Sequence, residues 1–82
     1  MFERGNIVQL NHRGQLHYMR KAYRKTIFKP NLMIVIGILK TKNNKKKFLL
    51  RDAFSDIRDS YYDIHLEFVA DSTQYLYDRF LK

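Results

Sequence analysis

Leu32-Met33-Ile34-Val35-Ile36-Gly37-Ile38-Leu39 is the longest unbroken apolar run of the chain. Its shortness, with Pro30-Asn31 before it and a polar stretch after it, predicts a strand buried on both faces. A membrane-spanning helix needs about 20 apolar residues, so a crossing at this run is excluded. The polar stretch, Lys40-Thr41-Lys42-Asn43-Asn44-Lys45-Lys46-Lys47, is followed by Phe48-Leu49-Leu50. Strand, polar turn and strand predict a hairpin whose tip is loaded with lysine.

The other elements follow from spacing. Ile7 to Leu10 is a short strand candidate, stopped by the turn-favouring group Asn11-His12-Arg13-Gly14. Leu16, Met19, Tyr23 and Ile27 recur at steps of three and four, which predicts an amphipathic helix with Arg20, Lys21, Arg24 and Lys25 beside or opposite the stripe. A strand from Gln15 to Tyr18, hairpinned on the first through Gly14, is the alternative. Pro30 ends this element. After the hairpin, Phe54, Ile57 and Tyr61 predict a short helix over Arg51 to Tyr61. Tyr62-Asp63-Ile64-His65-Leu66-Glu67-Phe68 alternates apolar with polar, the pattern of a half-buried strand with His65 facing solvent beside Glu67. Asp71-Ser72-Thr73-Gln74 has the form of a helix cap, with Asp71 in the cap position, and Leu76, Tyr77, Phe80 and Leu81 supply the stripe of a terminal helix.

This order is that of a ferredoxin-like β-α-β-β-α-β unit with a C-terminal helix added. The predicted class is α+β, one small domain over residues 1–82, with an antiparallel sheet and its helices on one face. The six Tyr and six Phe are more rings than one small core holds, which points to self-association, a homodimer, or to a ligand surface. With no Cys, disulfides, thiolate metal sites and cysteine nucleophiles are excluded, and a reducing cytoplasm is the expected compartment. The N-terminus shows no apolar signal segment.

Charge is strongly lopsided. Residues 1–51 hold thirteen of the sixteen Lys/Arg and one of the eight acids, net +12, against −4 for residues 52–82. Such a split points to one face built for a polyanion. Two clusters carry it. The first is the hairpin tip with Lys42, Lys45, Lys46 and Lys47, and Lys40 as an outer member; edge-strand protection is the bland reading of these lysines. The second comprises Lys21, Arg24, Lys25 and Lys29, with Arg13, Arg20 and His17 around it. Ammonium and guanidinium groups on phosphates release counterions, which offsets the repulsion within each cluster. Tyr18, Tyr23, Phe28 and Phe48 interleave with the cations. Rings so placed stack on unpaired bases, which favours RNA or single strands over duplex, with Tyr18 and Phe48 the foremost candidates.

Catalytic chemistry finds little support. His12 and His17 stand five apart without a carboxylate or Cys cluster, so neither a metal site nor a catalytic residue is assigned, and no cofactor is expected. A ribonuclease using His12 and His17 is the remaining enzymatic possibility. The nearer alternative is an inhibitor or adaptor whose basic face meets an acidic host protein directly.

With this element order the chain is similar in outline to RNA-recognition-type domains. Lys46-Lys47-Phe48-Leu49-Leu50-Arg51 stands at the place of that family's signature and shares with it a basic start and one aromatic, so sheet-face stacking is not implied. In size, charge and its Lys/Asn/Tyr-rich, cysteine-free composition, the whole chain resembles the small early accessory proteins of T-even-type bacteriophages. That resemblance implies a small RNA-binding dimer acting in the host cytoplasm against a toxin–antitoxin defence. It assigns no residues.

Overall fold

The computed structural model describes residues 2–22, 32–43 and 45–80, with the backbone alone at 21 and 22. Five strands form one antiparallel sheet: β1 (Ile7–Leu10), β2 (Met33–Lys40), β3 (Lys46–Asp52), β4 (Arg58–Tyr62) and β5 (Leu66–Ala70). Helix α1 (His12–Ala22) lies between β1 and β2, a 3-10 turn (Asp63–His65) between β4 and β5, and helix α2 (Gln74–Phe80) after β5. The class is α+β.

The strand order is β4-β3-β2-β1-β5, with every neighbour antiparallel. This corrects the ferredoxin-like order, and the topological likeness to RNA-recognition-type domains goes with it. The last two strands lie at opposite ends of the order yet are joined by three residues. Four chain steps reach at most about 14 Å, whereas the edges of a flat five-stranded sheet stand about 19 Å apart. The sheet must therefore curl until β4 and β5 approach, as in an open barrel. A bulge in β2 between Val35 and Gly37 supplies part of the bend.

Alternation along the strands builds two apolar clusters on opposite sides of the sheet. Val8, Leu10, Met33, Val35, Phe48, Leu50, Tyr61 and Leu66 fill the inside of the curl, joined by Tyr18 from α1 and by Phe2. Ile7, Ile34 and Leu76 form the outer cluster, with Ile36, Val69 and Tyr75 around it. The helices therefore serve different clusters, and the expectation of both on one face is corrected. Only the first half of the apolar run is buried on both faces, because Ile38 and Leu39 extend past the core toward the hairpin tip and are exposed.

Three element assignments change. Residues 12–22 are helical, so the strand alternative at Gln15–Tyr18 is set aside, and the helix starts within the group expected to be a turn. Asn11 is the reason: its Oδ1 accepts the Gly14 amide at 2.8 Å, a helix cap rather than a turn. The helix expected over Arg51–Tyr61 is instead the end of β3, a turn and β4. The Asp52 carboxylate accepts the Phe54 amide at 3.0 Å and the Asp52 amide donates to the Ile57 carbonyl at 2.8 Å, which reverses the chain. Of the three residues that imitated a helical stripe, Tyr61 is buried while Phe54 and Ile57 are 54% and 47% exposed. The single strand expected over Tyr62–Phe68 is broken by the 3-10 turn, where Ile64 is exposed. The terminal helix stands, starting at Gln74, with Leu76 as its buried anchor. Asp71, the expected cap residue, accepts the Asn6 side-chain amide through its carbonyl at 3.2 Å.

Candidate nucleic-acid interface

The β2–β3 hairpin places its cations by register. Lys40 pairs with Lys46, Leu39 with Lys47, and Ile38 with Phe48. Phe48 points inward and is buried, so Leu39 and Lys47, one position along, share the outer surface. The Thr41 hydroxyl donates to the Lys45 carbonyl at 2.8 Å and closes the loop. Lys40 and Lys46 are directly opposed like charges, an arrangement that weakens a ladder. Lys42 and Lys45, both exposed, flank them at the tip. Asp56, by contrast, forms its 3.9 Å ion pair with Arg51 toward the other end of β3.

From the hairpin a row of rings crosses to α1. Lys47 pairs with Tyr62 across β3 and β4, and its Nζ sits 5.2 Å from the centre of the Tyr62 ring, a cation–π contact. The Tyr62 ring meets His65 edge-on at 6.2 Å. The His65 imidazole stacks on that of His17 at 4.5 Å, the planes 10° apart. Behind this pair the buried Tyr61 ring stands edge-on to His17 at 6.2 Å.

The junction that holds the histidines together is built around Asn11 and Gly14. The Asn11 backbone amide donates to the His65 carbonyl at 3.0 Å, and its side-chain amide donates to the Ile64 and Leu66 carbonyls at 2.8 and 3.3 Å. Gly14 faces the His65 carbonyl so closely that a Cβ there would overlap it. One asparagine therefore caps α1 and ties it to the 3-10 turn. His17 follows one turn later on the helix, which brings it over His65. His65 is thus half-buried against α1, not turned to solvent beside Glu67; Glu67 instead accepts the Gln9 side-chain amide at 2.8 Å.

Arg13 and Arg20 stand four residues before and three after His17, so they share its face of α1, and both are exposed. Lys21 belongs to α1 at the i+4 position from His17. Arg24, Lys25 and Lys29, with Tyr23 and Phe28, lie outside the described residues. Tyr18 and Phe48, the rings expected to meet bases, are core residues at 8% and 0% exposure, so that expectation is corrected. The ring beside the hairpin lysines is instead that of Tyr62, which sequence periodicity assigned to the inner face of a strand and which lies half-buried beneath Lys47. His12 and His17 are five residues apart on a helix, about 140° around its axis, and His17 has His65 as its neighbour instead.

The phenol of Tyr61 is held well above its ordinary range, first by burial and then by the charge and hydrogen bond of Asp59. It is a neutral wall behind the histidines. Among the described residues no group of three His, Cys, Asp or Glu is gathered to hold a metal ion. No described helix is long and apolar enough to cross a membrane.

Comparison of the chain with protein-family models, curated proteins and solved structures returns no match.

Proposed function

We propose that this protein binds nucleic acid through its basic face without reading base sequence, preferring RNA or single strands. The observation that carries the reading is the unbroken row from the lysine hairpin through Lys47, Tyr62, His65 and His17 to the helix face bearing Arg13 and Arg20. Arg13 and Arg20, the described outer members of the second cluster, are thereby linked through rings to the lysine hairpin. Repulsion such as that between Lys40 and Lys46 is tolerable on a surface that meets phosphates, where condensed counterions are released. The half-buried Tyr62 ring and imidazoles give unpaired bases something to stack on. In this reading Lys42, Lys45, Lys46 and Lys47 contact phosphates from the hairpin, and Lys21, Arg24, Lys25 and Lys29 from the other cluster.

The setting we propose with it is that of a homodimeric phage factor countering a host toxin–antitoxin defence in the host cytoplasm, supported by size, charge and composition. Exposed Phe54, Ile57, Tyr77 and Phe80 offer apolar surface for the dimer.

The test is the variant Lys45→Ala/Lys46→Ala/Lys47→Ala, titrated against single-stranded RNA at several salt concentrations. Each lost phosphate contact lowers the slope of log K against log salt by about 0.7, so the triple variant should lose about two units of slope and bind every sequence more weakly. Unchanged affinity with an unchanged slope refutes the assignment of the hairpin. A host protein retained on the immobilised chain after nuclease treatment argues instead for direct contact with an acidic partner.

A further inference from the structure

Resting on that reading, we propose that the His17–His65 pair is a proton-linked phosphate contact, so that engaging a nucleic-acid backbone draws a proton onto the pair and binding tightens as the pH falls. The geometry carries the argument. Two imidazoles with near-parallel planes 4.5 Å apart stack well when neutral or singly charged, and repel when both carry charge. Imidazole is the side chain whose ordinary titration falls near pH 6.5, within reach of small changes in its surroundings.

Those surroundings carry charges of both signs. From α1 come Arg13 and Arg20, with Tyr18 and the Lys21 position; from β4 the rings of Tyr61 and Tyr62; and from β3 the ammonium of Lys47 over Tyr62. Asp63 in the 3-10 turn and Glu67 in β5, both exposed, are the acids within two residues of His65, and Asp59 of β4 acts on the Tyr61 phenol behind His17. A phosphodiester lying along the row from Lys47 to Arg13 adds its own negative charge at the imidazole edges and so favours the protonated pair over the neutral one. By linkage, whatever favours the protonated pair in the complex makes protonation favour the complex by the same factor.

The experiment measures the dissociation constant of rhodamine-labelled polyuridine, whose bases do not titrate in this range, at constant ionic strength from pH 8.0 to 5.5. The wild-type chain should bind about tenfold more tightly at the acid end, the effect of a rise of about one unit in the pair's titration midpoint on binding. His17→Gln and His65→Gln should each flatten the profile between pH 8.0 and 5.5, whatever affinity each variant keeps at pH 8. His12→Gln, at the exposed start of α1, should keep the full dependence. A flat wild-type profile, or a pH dependence that survives in both variants, overturns the inference while leaving the basic face standing. No binding at any pH sinks both. Should either variant unfold, proton NMR titration of the intact protein decides: polyuridine must raise the titration midpoints of His17 and His65 and leave that of His12 in place, and equal midpoints with and without RNA overturn the inference.

Discussion

Replacing Gly14 by Ala tests the junction on which the candidate interface depends, because helix propensity and tertiary packing predict opposite signs. In a solvated helix interior the change stabilises by about 1 kcal/mol, since Ala loses less backbone freedom on folding. Here the new methyl would overlap the His65 carbonyl oxygen and lie 3.0 Å from its carbon and 3.1 Å from the Leu10 Cβ. The oxygen is backbone, held by the Asn11 amide, and cannot swing aside. Relief requires α1 to lift from the 3-10 turn by on the order of 1 Å, and overpacking of this kind costs about 1–3 kcal/mol. The Asn11 bonds at 2.8 to 3.3 Å lengthen with it. We therefore expect a net loss of about 1–2 kcal/mol, which in a domain of this size lowers the melting temperature by about 4–8 °C per kcal/mol. Urea and thermal unfolding followed by circular dichroism measure it. The His17–His65 stack should loosen at the same time, visible as a change in both imidazole NMR shifts. An unchanged or raised melting temperature would show that α1 does not rest on the His65 carbonyl, and the row of rings from hairpin to helix would fall with it.

Other substitutions probe neighbouring steps of the reasoning. Asn11→Asp, neutral at an ordinary helix cap, should here destabilise by about 1–3 kcal/mol, because the carboxylate loses both donated bonds and faces two carbonyl oxygens; an unfolding midpoint equal to wild type would contradict this. Lys40→Glu turns an opposed like-charge pair with Lys46 into an attractive one, so stability should rise by about 0.2–1 kcal/mol while RNA affinity drops; stability and affinity moving together would count against a surface kept basic for binding. The Tyr61 phenol stays protonated in the folded chain above pH 10.0, where the unfolded chain gives its proton up. Its contribution is intact below pH 10 and declines as pH rises toward the folded-state value, by about 1.4 kcal/mol per unit. Tyr61→Phe should remove that part of the alkaline loss, read as a shallower difference in urea midpoints between pH 9 and pH 11, and equal differences in both proteins would refute it.

Short-range patterns in this chain carried the elements whose neighbours are local. The β1 strand, the β2–β3 hairpin with its lysine tip and the existence of helices α1 and α2 are legible because alternation, three-and-four spacing and turn residues act within a few positions. The stripe read for α1, however, is not its buried face: Leu16 and Met19 are exposed, Tyr18 packs into the core, and Tyr23 and Ile27 lie outside the described residues. The lopsided charge was equally plain. What the pattern misjudged were places where two periods compete. Phe54, Ile57 and Tyr61 satisfy a helical stripe, yet the Asp52 turn reverses the chain and leaves two of them exposed. The alternation from Tyr62 to Phe68 is fault-free, yet the chain must cross from β4 to β5, and the 3-10 turn takes three of those residues.

The amino-acid order by itself determined which residues are cationic, which stretch makes the central hairpin and that a helix follows the last strand, since each rests on the chemistry of neighbours in the chain. Only the tertiary structure decided that Tyr18 and Phe48 are core, that Tyr62 comes to the surface under Lys47, and that His17 lies on His65. The reason is the curl of the sheet: it brings residues 48 positions apart into contact through packing and three asparagine hydrogen bonds, and no local spacing encodes a contact of that range.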